Sequence, residues 1–173
     1  MSTTNTWSID PTHSEIGFSV KHMMFSKVRG TFEEFTANIT ADDQFQSTDI
    51  QVNIEAKSVN TRNEQRDAHL VSAEFFDAEQ FPKLTFQVAA GDMKSGKIPG
   101  KLSIKGIEKE VVLDIDFHGE GKDPWGNIRA AFAFESELNR EDFGLTWNVP
   151  LEAGGVLVGK TVTLSGEIQL VKA

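Results

Sequence analysis

Apolar and polar residues alternate along most of this chain. In residues 13–22, Ile16, Phe18 and Val20 fall on one side with His22 in register, while His13, Glu15, Ser19 and Lys21 fall on the other, the period-2 mark of a half-buried strand. Before it, Trp7-Ser8-Ile9-Asp10 is a short extended lead-in that ends at the turn signal Asp10-Pro11. After it, Met23-Met24-Phe25 is a loose apolar link with few turn residues. Residues 28–41 form the next strand, whose apolar parity switches between Phe32 and Phe35 across Glu33-Glu34, the sequence mark of a bulge. Ile50, Val52, Ile54 and Ala56 alternate in 49–57, and Leu84, Phe86 and Val88 mark another strand. A hairpin is expected around residues 105–109, with Leu102 and Ile104 facing inward with Val111, Leu113, Ile115 and Phe117. Residues 119–127 read as a Gly/Pro-rich loop holding Trp125, 128–138 carry Ala130, Phe132 and Phe134 on one side, and 139–155 are irregular and polar. Val162, Leu164, Ile168 and Leu170 mark the last strand.

One stretch breaks the alternation. Residues 58–82 read as a helix: Thr61 and Glu64 have capping-box spacing, helix formers follow, and no Gly or Pro interrupts before Pro82. Ala68, Val71 and Phe75 share one face; Arg62, Arg66 and His69 recur on another. A lone helix in an all-β chain plugs a barrel end or covers a sheet edge. Here the reading is that it closes a barrel, with its basic face near the rim. About eight strands, several of ten or more residues spanning ~33 Å, predict an elongated antiparallel barrel in one domain, residues 1–173. Eight strands either fill their interior with side chains or leave room for one ligand, and periodicity does not separate the two.

Composition narrows the chemistry. There are 13 Phe and no Tyr, so aromatic bulk comes almost without hydroxyls, which suits a greasy interior. The absence of Cys excludes disulfide and thiolate chemistry. A net charge of −9 disfavours nucleic acid and anionic membrane surfaces as partners. No apolar run approaches a membrane span, and residues 1–6 lack the pattern of a signal peptide, so the expectation is a cytoplasmic protein without stable membrane insertion. The four histidines lack zinc spacing, and no metal or cofactor is expected. A hydrolase built on Asp67, His69 and Ser72 fails, because residues two apart on a helix do not face each other and no glycine-rich elbow accompanies the serine. Arg62 and Arg66, at i and i+4, repel unless an anion lies between them; a carboxylate of the chain itself is the favoured one, a phosphate head group the alternative. The turn Asp123-Pro124-Trp125-Gly126 either carries an aromatic lid or holds a Trp that simply packs.

Four motifs in order, Trp7-x-Ile9-Asp10-x-x-His13-Ser14-x-Ile16-x-Phe18-x-Val20-Lys21-His22, Arg66-Asp67-x-His69-Leu70 running on to Phe75-Phe76-Asp77 and Phe81-Pro82, Gly100-x-Leu102-x-Ile104-x-Gly106, and Asn139-Arg140-x-Asp142-Phe143-Gly144-x-x-Trp147, resemble the YceI-like, lipocalin-like family over nearly the whole chain. The resemblance implies an all-β fold, an extended eight-stranded antiparallel lipocalin-like β-barrel with one short helix closing an end. It also implies non-enzymatic binding, sequestration or transport of a long-chain polyisoprenoid or similar amphiphilic lipid, often by a homodimer, in a family with many periplasmic members. With that reading, Ile16, Phe18, Val20, Phe32, Phe86, Phe132 and Phe134 are the candidate lipid wall, and His22, Phe75, Trp147, Arg66 and His69 complete the candidate ligand-binding set. A fatty-acid or quinone binder on the same barrel, and a stress-linked module with a filled core, are the alternatives.

Overall fold

The computed structural model describes residues 4–152 and 154–173. Its strands are β1 (Thr4–Ile9), β2 (Glu15–His22), β3 (Ser26–Phe32), β4 (Phe35–Asp42), β5 (Thr48–Glu55), β6 (Val59–Asn60), β7 (Lys83–Gly91), β8 (Lys97–Ile104), β9 (Ile107–Lys122), β10 (Ile128–Asn139) and β11 (Val158–Lys172), with the helix α1 (Glu64–Val71) between β6 and β7. Eight of them form a closed antiparallel ring in the order β1-β4-β5-β7-β8-β9-β10-β11, sealed by pairing of β1 with β11. The fold is therefore the eight-stranded, lipocalin-like barrel with one helix that the sequence predicts.

The remaining three strands show how the barrel is lengthened. β11 is long enough to pair β1 at its C-terminal end (Ile9 with Leu170) and β2 along the rest (Gly17 with Ser165, Val20 with Val162). β1 and β2 thus occupy one place in the wall, one beyond the other, joined by the 3-10 turn Pro11–His13, where the Asp10 carboxylate accepts from the Thr12 N–H at 2.9 Å. The expected bulge at Glu33-Glu34 is instead a break. β3 pairs β2 and β6, β4 pairs β1 and β5, and the chain turns a corner between them. The parity switch is real, but it hands the strand to new neighbours. Beyond that corner the wall is incomplete: among the described residues β6 pairs β3 alone, and α1 and the turns after it stand between β6 and β7.

The helix is shorter than its sequence pattern. Val59 and Asn60 are drawn into β6, and the chain turns away after Ser72 to bury Phe75, Phe76 and Ala78. Asn63, not Thr61, caps it by accepting from the Arg66 N–H at 3.0 Å. Thr61 turns its hydroxyl and its N–H to Asp67 Oδ1 at 2.6 and 2.9 Å. Arg62 lies outside the helix at φ +64°, Ala68 is exposed, and Phe75 belongs to the following turn, so the predicted apolar face does not exist as a stripe. Tertiary burial overrides local propensity here.

The β8–β9 hairpin is tighter than expected. Ile104 pairs Ile107 across Lys105 and Gly106, both at positive φ, as a two-residue hairpin turn requires. β9 runs on through the predicted loop to Lys122, bulging opposite Ala131 and Phe132. Trp125 is 82% exposed, so its ring stands largely in solvent, while the Asp123 carboxylate accepts from the N–H groups of Trp125 and Asn127, each at 2.9 Å. At that end the barrel is plugged by Phe45, whose ring centroid lies 5.1 Å from Trp7 and 5.1 Å from Phe117, with Met93 fully buried beside it.

Candidate functional site

The other end is hollow. A cavity of about 440 Å³ opens beneath α1, and a second chamber of about 110 Å³ lies deeper in the barrel; Phe32, Leu84, Ile104 and Leu164 line both. The larger volume is in the range of small-molecule sites. Every candidate from the sequence borders one of the two spaces. Phe18, Val20, His22, Phe75, Trp147, Arg66 and His69 face the outer cavity; Ile16, Phe86, Phe132 and Phe134 face the inner chamber; Phe32 faces both. The interior is not open from end to end, because the aromatic plug stops it.

Three glycines explain why a Phe-rich wall leaves space. A Cβ on Gly30 would come within 2.5 Å of the Phe18 ring, one on Gly100 within 2.5 Å of Phe86, and one on Gly166 within 2.7 Å of Phe134. Gly30 and Gly166 sit directly opposite those rings in register. Each ring is laid against bare backbone on the adjacent strand, flat along the wall. The same ring beside a larger neighbour would have to swing into the bore.

Among the described residues, the polar side chains bordering the outer cavity are Lys21, His22, Asn63, Gln65, Arg66, His69 and Arg140, with no carboxylate among them. This is notable in a chain with 26 Asp and Glu against 17 Lys and Arg. Arg66 makes no ion pair among the described residues, which overturns the expected salt bridge. Its Nε donates to Thr61 Oγ1 at 2.8 Å and its Nη2 to the Thr61 carbonyl at 2.7 Å, possible because Arg62 at positive φ folds that carbonyl back over the helix start. His69 stands at the mouth with its ring edge-on to Phe75 and Trp147, centroids 5.0 and 4.7 Å away, and Nε2 at 2.6 Å from Glu74 Oε2. Ser72 Oγ donates to the His69 carbonyl, not to its ring.

Arg140 is the residue that pattern reasoning passed over. It is 3% exposed, and its guanidinium donates only to carbonyls: Gly159 at 2.7 Å, Leu145 at 2.6 Å, Trp147 at 3.0 Å and Val158 at 3.3 Å. Burial pushes its pKa down from the ordinary value, with the charge of Glu141 working against the shift. Four carbonyls neutralise no charge, so a positive field persists at the cavity wall. Nothing in the alternation reveals this, because the acceptors come from an irregular segment and the start of β11. Lys21 was also missed: its parity points outward, but β2 ends at the mouth and the side chain borders the opening.

Among the described residues, no helix is long and apolar enough to cross a membrane. A family model described as YceI-like domain matches residues 7–170. A UPF0312 protein of Staphylococcus aureus is 37% identical over 158 residues, covering 90% of this chain and 91% of that protein. Among solved structures, BcnA of Burkholderia cenocepacia has a TM-score of 0.77 at 20% identity, covering 93% of this chain and 98% of that one. A polyisoprenoid binding domain from Saccharophagus degradans has a TM-score of 0.68 at 13% identity, covering 96% and 98%.

Proposed function

Because the chain belongs to the YceI-like domain family, we propose that it binds, sequesters or carries a long-chain polyisoprenoid or similar amphiphilic lipid without transforming it. The carrying observation is the interior space: apolar walls kept apart by glycine-backed rings, ending at a mouth lined by Lys21, Arg66 and Arg140, with the Glu74 carboxylate held by His69. The likeness to a polyisoprenoid binding domain supports the choice of ligand class. In this reading the tail passes Phe32 and Leu164 into the inner chamber, and the head stays near Arg66, His69 and Arg140. A homodimer and a cytoplasmic location belong to the same reading; sedimentation and cell fractionation test them.

Physical chemistry sets where selectivity must arise. Burial stabilises a tail by about 0.8 kcal/mol per CH₂ against water, but by almost nothing against a bilayer, which is equally apolar. Selectivity then falls to chain shape and to the head group. Prenyl alcohol and prenyl phosphate of equal chain length separate the contributions: the phosphate is expected to bind more tightly, and equal affinities would remove the head group from the account. A second reading, a fatty acid or quinone, is favoured by the small inner chamber, which suits a shorter or branched end. Mass spectrometry of an organic extract of the isolated protein distinguishes the two.

A further inference from the structure

The turn between β2 and β3 is built in a way that the fold alone does not require. His22 pairs Ser26 across Met23, Met24 and Phe25, and these three are 40%, 56% and 86% exposed. Met23 and Met24 sit at φ +53° and +70°, where turn chemistry selects Asn or Gly and a Met side chain adds strain. The turn thus holds apolar side chains in water at positions where a polar or absent side chain would fold better. Such a local violation of turn chemistry is expected where function selects the residue.

The charge around the tip runs against that of the molecule. Residues 16–32 contain Lys21, Lys27 and Arg29 and not one Asp or Glu, in a chain of net charge −9. Lys21 and Lys27 stand directly opposite each other across the hairpin, a pairing of like charges that costs stability. None of the three cations has a carboxylate within 4.0 Å among the described residues. The tip is continuous with the cavity mouth: Lys21 and His22 border the cavity, and the Met23 N–H donates to the carbonyl of Leu157, another lining residue, at 2.8 Å. Val149, 42% exposed, extends the apolar surface on the neighbouring segment, whose Glu152 is one carboxylate against Lys21, Lys27 and Arg29, Lys160 being paired with Glu141 at 3.8 Å.

We propose that this tip is a docking surface for an anionic lipid bilayer, which sets the cavity mouth down on the membrane. Met23, Met24 and Phe25 enter the headgroup boundary, and Lys21, Lys27 and Arg29 meet the anionic lipids around it. The overall negative charge does not prevent this, since charges more than about 8 Å from the surface are screened at physiological salt. The proposal goes beyond the identity of the cavity ligand and is measured separately from it.

Co-sedimentation of the full chain with phosphatidylcholine vesicles, with and without phosphatidylglycerol, tests it. Binding is expected to be at least about tenfold tighter to the anionic vesicles and to weaken as salt rises. Phe25→Ser and Lys27→Glu should each reduce it by about tenfold, while uptake of a fluorescent apolar probe from solution stays unchanged. Met23→Asn combined with Met24→Gly should raise Tm and lower vesicle binding together, which a purely structural role for the methionines would not produce. The proposal is overturned if the chain ignores anionic vesicles, binds neutral and anionic vesicles equally, or binds them undiminished in the variants. It is likewise overturned if Phe25→Ser abolishes a concentration-dependent dimer and no vesicle binding exists, since the tip would then join copies of this chain. Loss of probe uptake with vesicle binding intact would contradict the cavity reading alone.

Discussion

Two arginines toward opposite ends of the barrel meet their surroundings in opposite ways. Toward the plugged end, Arg129 donates from Nε to Asp123 Oδ2 and from Nη1 to Asp10 Oδ2, both at 2.8 Å, with Gln169 Oε1 at 2.9 Å. Its charge is met by two carboxylates that tie β10 to the turn preceding it and to the residue that follows β1. Toward the open end, Arg140 donates to four carbonyls and, among the described residues, makes no ion pair. The same contrast appears in the packing. Phe45, Trp7 and Met93 interlock at one end, while Phe18, Phe86 and Phe134 lie back on glycines along the hollow part. The plugged end resembles a finished core; the open end has unspent volume and unspent charge, the two things an amphiphile supplies.

Four perturbations act on this contrast. Phe132→Asp puts a carboxylate in the inner chamber, where Phe132 is 6% exposed. Apolar-probe uptake should vanish, and urea denaturation should show a loss of about 4 kcal/mol; undiminished uptake would place the ring outside the binding path. Arg140→Met strips the Gly159, Leu145 and Trp147 carbonyls of this donor, while the Val158 carbonyl keeps Asn148 Nδ2; it should cost about 3 kcal/mol by the same method, with a larger loss of affinity for prenyl phosphate than for prenyl alcohol. Gly30→Val should push the Phe18 ring off its glycine and into the cavity, lowering probe uptake and costing about 2 kcal/mol. Uptake at the normal level would mean the ring has another place to go.

The smallest effect is a pH dependence at the plugged end. The Thr12 hydroxyl, then Arg129 and His13, hold the Asp10 carboxyl well below the usual range, and Arg129 holds Asp123 at about 2. Because both pKa values are depressed in the folded state, the stabilisation is fully present above the unfolded value of about 4 and is lost as pH falls toward about 2. Arg129→Met should flatten that acid limb of the stability profile while leaving probe uptake at pH 7 intact. An unchanged limb would mean the clamp is not what titrates.

The alternation revealed the barrel because each strand has one wet face and one dry face, and a period of two survives any closure. It could not show that β1 and β2 share one place in the wall, since that depends on β11 being long enough to pair both in turn. The Phe18, Phe132 and Phe134 wall was legible, but the hollow was not: periodicity says which face a ring is on, and the glycine opposite decides whether it fills the bore. The helix misled for a related reason. Its formers extend from residue 58 to 81, yet β6 claims one end and burial of Phe75 and Phe76 claims the other. Arg140 was hidden because its partners are carbonyls brought by the irregular segment, and carbonyls have no sequence signature.

In the proposed function, the ligand enters beneath α1 and stops short of the plug. Trp147 borders the outer cavity, and Trp7 sits in the plug at 2% exposure. In a Trp125→Phe background, quenching by a brominated prenyl alcohol measures contact at each indole once the other is also replaced by Phe. Strong quenching of Trp147 with Trp7 unaffected is the predicted result. Bound ligand that quenches Trp7 as deeply as Trp147, or quenches neither, would contradict it.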